Sequence, residues 1–243
     1  MTLKSIALAA ALVGTASVAS ASTITISAFG PDASNYNSAI SAFSNVVSED
    51  FESATVGNVD DGFATAVGSF STLGGTGSGG TVSNAPFTND GTKLAIRDGN
   101  VYGRTSTTKI LTGNKADDQF LDSNDTFGIE WVADLGGSMF NKLLLTLTDA
   151  ADVGAQMKVS TGNDFQTLVT AGNGNRQIVL VEFANPVSSA TVLFENIGKS
   201  GLRTNDGFSL DDIAVSAVPI PAGFILLGTA FGGLVAMRRR KTA

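Results

Sequence analysis

Thr23-Ile24-Thr25-Ile26-Ser27-Ala28-Phe29 sets the period on which the fold is read. Side chains here alternate between two faces, the two-residue repeat of a half-buried strand. Gly30-Pro31-Asp32 interrupts it. Tyr36, Ile40, Phe43 and Val47 then recur at spacings of four, three and four. That is one face of a short helix, with Ser34 or Asn35 as its N-cap. Beyond Asp50 the period returns to two. The pattern predicts strands at Gly62–Leu73, Lys93–Arg97, Thr126–Ala133, Lys142–Thr148, Gln156–Ser160, Gln166–Thr170, Gln177–Phe183, Ala190–Glu195 and Phe208–Ser216. Short strands separated by Gly, Asn and Asp predict an all-β, antiparallel β-sandwich of the jelly-roll kind with one short N-terminal helix. No internal repeat is visible, which argues against propellers and solenoids.

Signals of another kind flank this pattern. Lys4 gives a positive start, Ile6 to Val13 an apolar core, and Ala19-Ser20-Ala21 a small-residue cleavage site. Residues 1–21 therefore read as a signal peptide, handled by signal peptidase and the general secretion machinery. At the other end, Val218-Pro219-Ile220-Pro221-Ala222 precedes a charge-free run from Gly223 to Met237, then Arg238, Arg239, Arg240 and Lys241. A helix over that run is roughly 22 Å long at 1.5 Å per residue. The hydrocarbon core of a bilayer is about 30 Å thick. The span is sufficient only if Val218 to Ala222 enter the interface or the cations snorkel at the far side. The four cations act as a membrane stop and predict a cytoplasmic C-terminus, with everything before Val218 outside. Two prolines two residues apart impose a helix-free stretch at that boundary.

Between these signals lie residues 22–217, long enough for one domain with its own core. They hold all 22 acidic residues against 10 basic ones, a net −12. Such a charge repels nucleic acid and anionic lipid, so that nucleic acid is not expected as a partner, and favours solubility or cation binding. Aspartates outnumber glutamates 17 to 5, which suits both turns and hard-cation binding. Cysteine and histidine are absent. Disulfides, thiolate nucleophiles, Ser-His-Asp triads and the common zinc sites are thereby excluded.

The tail resembles the PEP-CTERM class of bacterial sorting signals, in the variant read as VPLPA. Val218, Pro219, Pro221 and Ala222 match, and Ile220 stands where that motif has leucine. The resemblance implies transient anchoring in the inner membrane of a Gram-negative bacterium. An exosortase-type membrane peptidase would then cut near the motif and pass the protein to the cell surface or extracellular matrix. Asp50-Phe51-Glu52, the Gly-rich stretch near residue 75 and Thr148 to Gly154 are also similar to segments of other VPLPA-tailed proteins; that likeness implies no activity.

Candidate sites within the domain are fewer. Gly75, Gly77 and Gly80 have dinucleotide-fingerprint spacing, but Thr81-Val82-Ser83-Asn84-Ala85-Pro86 has no helical period, so the stretch reads as a hairpin loop. Asp149-Ala150-Ala151-Asp152-Val153-Gly154 reads as a polar turn with part of a calcium shell as its alternative. Glu49, Asp50 and Glu52 lie near the start of the sheet, and Asp211 and Asp212 lie in the last strand. The stretch Asp206 to Ile213 resembles the closing strand of jelly-roll binding domains. That resemblance implies a structural Ca²⁺ shared by Glu52 with Asp211 or Asp212.

Trp131 shares a face with Phe127 and Ile129, apolar company that marks core rather than a sugar platform. Glu52, Glu130, Glu182 and Glu195 are the only glutamates besides Glu49, and their spacing selects no catalytic pair. The expectation is a non-enzymatic, exported structural or adhesive protein associated with exopolysaccharide. A calcium-stabilised carbohydrate-binding module and a glycan-cleaving enzyme are the rivals.

Overall fold

The computed structural model describes residues 23–75, 90–106, 118–149, 156–162, 164–169, 176–197 and 201–219. The signal peptide, Ile220, Pro221, Ala222, the apolar run and its four cations lie outside the described residues, as do Gly77, Gly80 and most of the Asp149–Gly154 loop. Among the described residues no helix is long and apolar enough to cross a membrane.

In chain order the elements are β1 (Ile24–Phe29), α1 (Ala33–Ser41), β2 (Val46–Glu49), β3 (Gly57–Val59), β4 (Phe63–Thr65), β5 (Gly68–Thr72), β6 (Leu94–Asp98), β7 (Asn100–Val101) and β8 (Arg104–Thr105). They continue with β9 (Gln119–Asp122), β10 (Gly128–Asp134), β11 (Met139–Thr148), β12 (Gln156–Thr161), β13 (Asp164–Val169), β14 (Arg176–Val187), β15 (Ser189–Glu195) and β16 (Ser209–Val218).

Two antiparallel sheets face each other. The larger runs β1-β14-β11-β16-β9-β6-β3, with β2 also paired to β16; the smaller runs β13-β12-β15-β10-β5-β4. One core fills the space between them. Leu143, Leu145, Val179, Val181, Ile213 and Val215 from the larger sheet meet Ile129, Trp131, Met157, Val159, Val192 and Phe194 from the smaller. This is the predicted all-β sandwich.

The larger sheet is apolar on its outer face too. Leu144, Ile178 and Ala214 are buried there beneath Tyr36, Ala39, Ile40 and Phe43 of α1 and the turn after it. A strand covered on both sides has no reason to alternate. That is why Leu143-Leu144-Leu145 and Ile178-Val179-Leu180-Val181 are unbroken runs.

Three expectations are corrected. The N-cap is Asp32, whose carboxylate accepts the Asn35 N–H at 2.9 Å, rather than Ser34 or Asn35. Val47 is not on the helix, because Asn45 adopts φ 47° and turns the chain into β2. Gly62–Leu73 is a hairpin, not one strand. Gly68 opens β5 at φ 124°, and a β-carbon there would run into the Val132 carbonyl. The last strand also runs further than predicted, through Val218.

Candidate functional site

The acidic last strand occupies the middle of the larger sheet. β16 pairs with β11 on one edge; on the other it pairs with β9 near Ser209 and with β2 from Ile213 to Ser216. Leu144 lies opposite Ala214 and Thr146 opposite Asp211, so Asp212 and Ile213 together face the single residue Leu145. This is a β-bulge, and Asp212 adopts φ 48° within it. Ile213 is thereby returned to the core while Asp211 stays on the face shared with Thr146.

Both Asp211 oxygens have protein partners. Oδ2 accepts the Ser106 hydroxyl at 2.8 Å, and Oδ1 accepts the Asp212 N–H at 2.8 Å. Glu52 is directed elsewhere: its carboxylate accepts the Gln119 N–H of β9 at 2.7 Å. The side chain drawn to the last-strand acids is Tyr36 of α1. Burial pushes its phenol well above the usual tyrosine range, and the charges of Asp212, Asp211 and Asp50 push it further. The ring itself packs on Leu144, Ile178 and Ala214 of the sheet. Calcium takes six to eight oxygens, and among the described residues no group of three or more acids is placed to hold a metal ion.

Next to Asp211 lies a network that the sequence did not announce. Asp122, at the end of β9, is fully buried, and its Oδ2 lies 3.5 Å from Arg97 Nε and 3.3 Å from Arg104 Nε. Arg104 also donates to Asp125 at 3.3 Å. Asn124 and Asp125, both at positive φ, shape the turn after Asp122. The Asn124 amide donates to the Asp90 and Lys93 carbonyls, and its oxygen accepts from Arg97.

Two cations and two anions leave this cluster neutral, but its members respond unequally. Burial lowers the Arg97 pKa, with Asp122 opposing. Burial also works against the charge of Arg104, yet Asp122 and Asp125 outweigh it and hold that guanidinium above its ordinary value. Burial raises the Asp125 carboxyl, and Asp122 adds to the effect. Chemically the cluster is a clip. It fixes the β7–β8 hairpin and Ser106 against β9 and β16, and it offers no paired nucleophile and base. Arg97 was its one sequence signal, a charge closing the apolar run Leu94-Ala95-Ile96.

The other candidates are placed as follows. Trp131 is fully buried, as expected of a core residue. Glu195 is bound by Arg203 at 2.6 Å and Glu182 by Lys142 at 3.0 Å. Glu130 sits in β10 opposite Leu193 and Ser71. Of the sorting motif, Val218 ends β16 opposite Met139, and Pro219 is exposed just beyond it.

No protein-family model and no curated protein matches the chain. Several solved structures are similar in backbone. A Stig cyclase from Fischerella sp. TAU shares 10% identity over 72% of this chain and 85% of its own, with a TM-score of 0.31. The xylanase 10B module pair of Clostridium thermocellum, complexed with xylohexaose, shares 12% over 68% of this chain and 29% of its own, with a TM-score of 0.29. A cleaved adhesin domain of Lys-gingipain from Porphyromonas gingivalis W83 shares 14% over 72% of this chain and 99% of its own, with a TM-score of 0.30. Likeness at these values assigns no activity.

Proposed function

We propose that this chain is an exported, non-enzymatic β-sandwich of the jelly-roll kind, delivered to the cell surface or extracellular matrix, with a structural or adhesive role beside exopolysaccharide. On this reading it is held briefly in the inner membrane by residues 223–237 and cut near Val218-Pro219-Ile220-Pro221-Ala222 by an exosortase-type peptidase. The observation that carries the reading is the junction. The first residue of the motif is the last residue of β16, and Pro219 ends sheet pairing because it has no N–H to donate. A folded body therefore runs directly into a sequence with two prolines two residues apart, which disfavours helix.

Two observations favour the non-enzymatic version over its rivals. Glu195 and Glu182 are engaged by cations and Glu52 by a backbone N–H. The sole tryptophan lies inside the sandwich rather than on a sugar-binding face. The test is mass spectrometry of the C-terminus of the protein recovered outside the cell. A terminus between Val218 and Ala222 is expected; an intact Ala243 would make the tail a permanent anchor and overturn the sorting step.

A further inference from the structure

The outer face of the larger sheet ends in an apolar corner at the point where the chain leaves it. Met139 is directly opposite Val218, and Val46 is opposite Ser216, two residues back along β16. By strand alternation Val46, Met139 and Val218 share this outer face, below the turn that follows α1. Met139 is 45% exposed and Val46 47%. Only five large hydrophobic side chains among the described residues are exposed, so two of them flanking one exit is a concentration rather than scatter.

The length of the following chain says what covers them. Five steps separate Val218 from Gly223, an extended reach of at most roughly 17 Å. On the proposed reading, a helix over residues 223–237 would be about 22 Å long, shorter than a hydrocarbon core of about 30 Å. Mismatch of this sign draws the flanking residues toward lipid. A span of that length would draw the body down at its exit strand, where the exposed corner is apolar. The net −12 of residues 22–217 makes a zwitterionic surface the fitting partner.

We infer that Val46, Met139 and Val218 form a contact surface that rests in the interface of a zwitterionic bilayer while the tail is inserted. This rests on the reading of residues 223–237 as a membrane span. The chain has no cysteine, so single labels report cleanly. Full-length protein carrying M139C, V46C, L202C or G228C, each with a polarity-sensitive fluorophore, would be reconstituted in phosphatidylcholine vesicles and quenched with iodide. Leu202 is the matched control, an exposed apolar residue at the end of the sandwich away from Val218.

Expected are protection at Gly228 and several-fold weaker quenching at Met139 and Val46 than at Leu202. Protection at Gly228 with Met139 and Val46 as open as Leu202 overturns the corner contact alone. An open Gly228 overturns the membrane span and the contact with it. Equal protection at Leu202 overturns the assignment to this corner. Dipolar broadening between spin labels at M139C in dilute vesicles would identify a second copy as the occupant, and would also overturn it.

Discussion

Trp131 lies on Phe70 with ring centroids 5.8 Å apart and planes 12° from parallel, and its indole N–H donates to the Val67 carbonyl at 3.1 Å. Phe51 meets the other side of Phe70 edge-on at 5.7 Å. This stack joins the turn after β2 to the middle of the smaller sheet, and it makes the sole tryptophan a reporter of the core. W131A is expected to cost about 3–5 kcal/mol in chemical denaturation. Wild-type emission should be blue-shifted, resist acrylamide and ignore added polysaccharide. Saturable quenching by a glycan would reverse the conclusion that this ring is structural.

The ionic clip and the surface pair Lys93–Asp60 make a direct contrast. R104M takes the paired cation from buried Asp125 and leaves Asp122 with Arg97 alone, and should cost about 3–5 kcal/mol. K93M breaks a 2.6 Å pair whose side chains are 42% and 87% exposed, and should leave the denaturation midpoint almost unchanged because water already screens both charges. G207A tests the same clip from the other side. A β-carbon at Gly207 would overlap the Arg104 guanidinium, for roughly 1–3 kcal/mol of overpacking. G30A, where a β-carbon would meet nothing closer than 3.9 Å, is the neutral control. Denaturant midpoints at constant slope decide all four.

Asp125 makes the clip sensitive to acid in an unusual direction. Its folded pKa is raised above 3.8. The folded state therefore holds the proton more tightly, a contribution complete below pH 3.8 and lost as pH rises through the raised value. The stability of wild type relative to D125N should accordingly fall over that window. A difference that grows with pH would mean that the Arg104 contact dominates the titration.

Tyr36 acts at the alkaline end. Because its folded pKa is raised from 10.0, the unfolded chain releases the phenolic proton first. Stability from this group is complete below pH 10 and declines above it. Wild type should lose stability faster than Y36F above pH 10. Parallel profiles would place Tyr36 farther from Asp211 and Asp212.

Calcium is decided by thermal unfolding in millimolar calcium and in excess chelator. With Asp211 satisfied by Ser106 and Asp212, and Glu52 by Gln119, the two midpoints should coincide. A midpoint raised by calcium in wild type but not in D211N would signal binding to the folded state and bear out the ion expected from the resemblance.

What was legible in the chain follows from where each signal is stored. β1, β11, β14 and β15 are written in their own residues, as alternation where one face is wet or as continuous apolar runs where both are covered. β2 was hidden because Val47 keeps helical spacing after Phe43, and only the left-handed turn at Asn45 reassigns it. β9 and the β7–β8 hairpin are too short to carry a period. Asp211 and Asp212 were found as acids, but Ser106, which donates to Asp211, comes from 105 positions away, and Tyr36, whose phenol feels both charges, comes from the helix laid over the sheet. The clip was missed for the same reason. Arg97, Arg104, Asp122 and Asp125 match no local motif, and only the pairing of β6 with β9 and of β9 with β16 brings them together.

The order in which the strands are synthesised has a consequence of its own. β16 is the last strand to emerge, yet β11, β2 and β9 all need it as a neighbour. Until Ser209–Val218 has left the ribosome, the larger sheet has a gap at its centre, and the bulged acidic strand that closes it does not exist. Closure of the larger sheet is thus tied, by connectivity, to the last of the described strands.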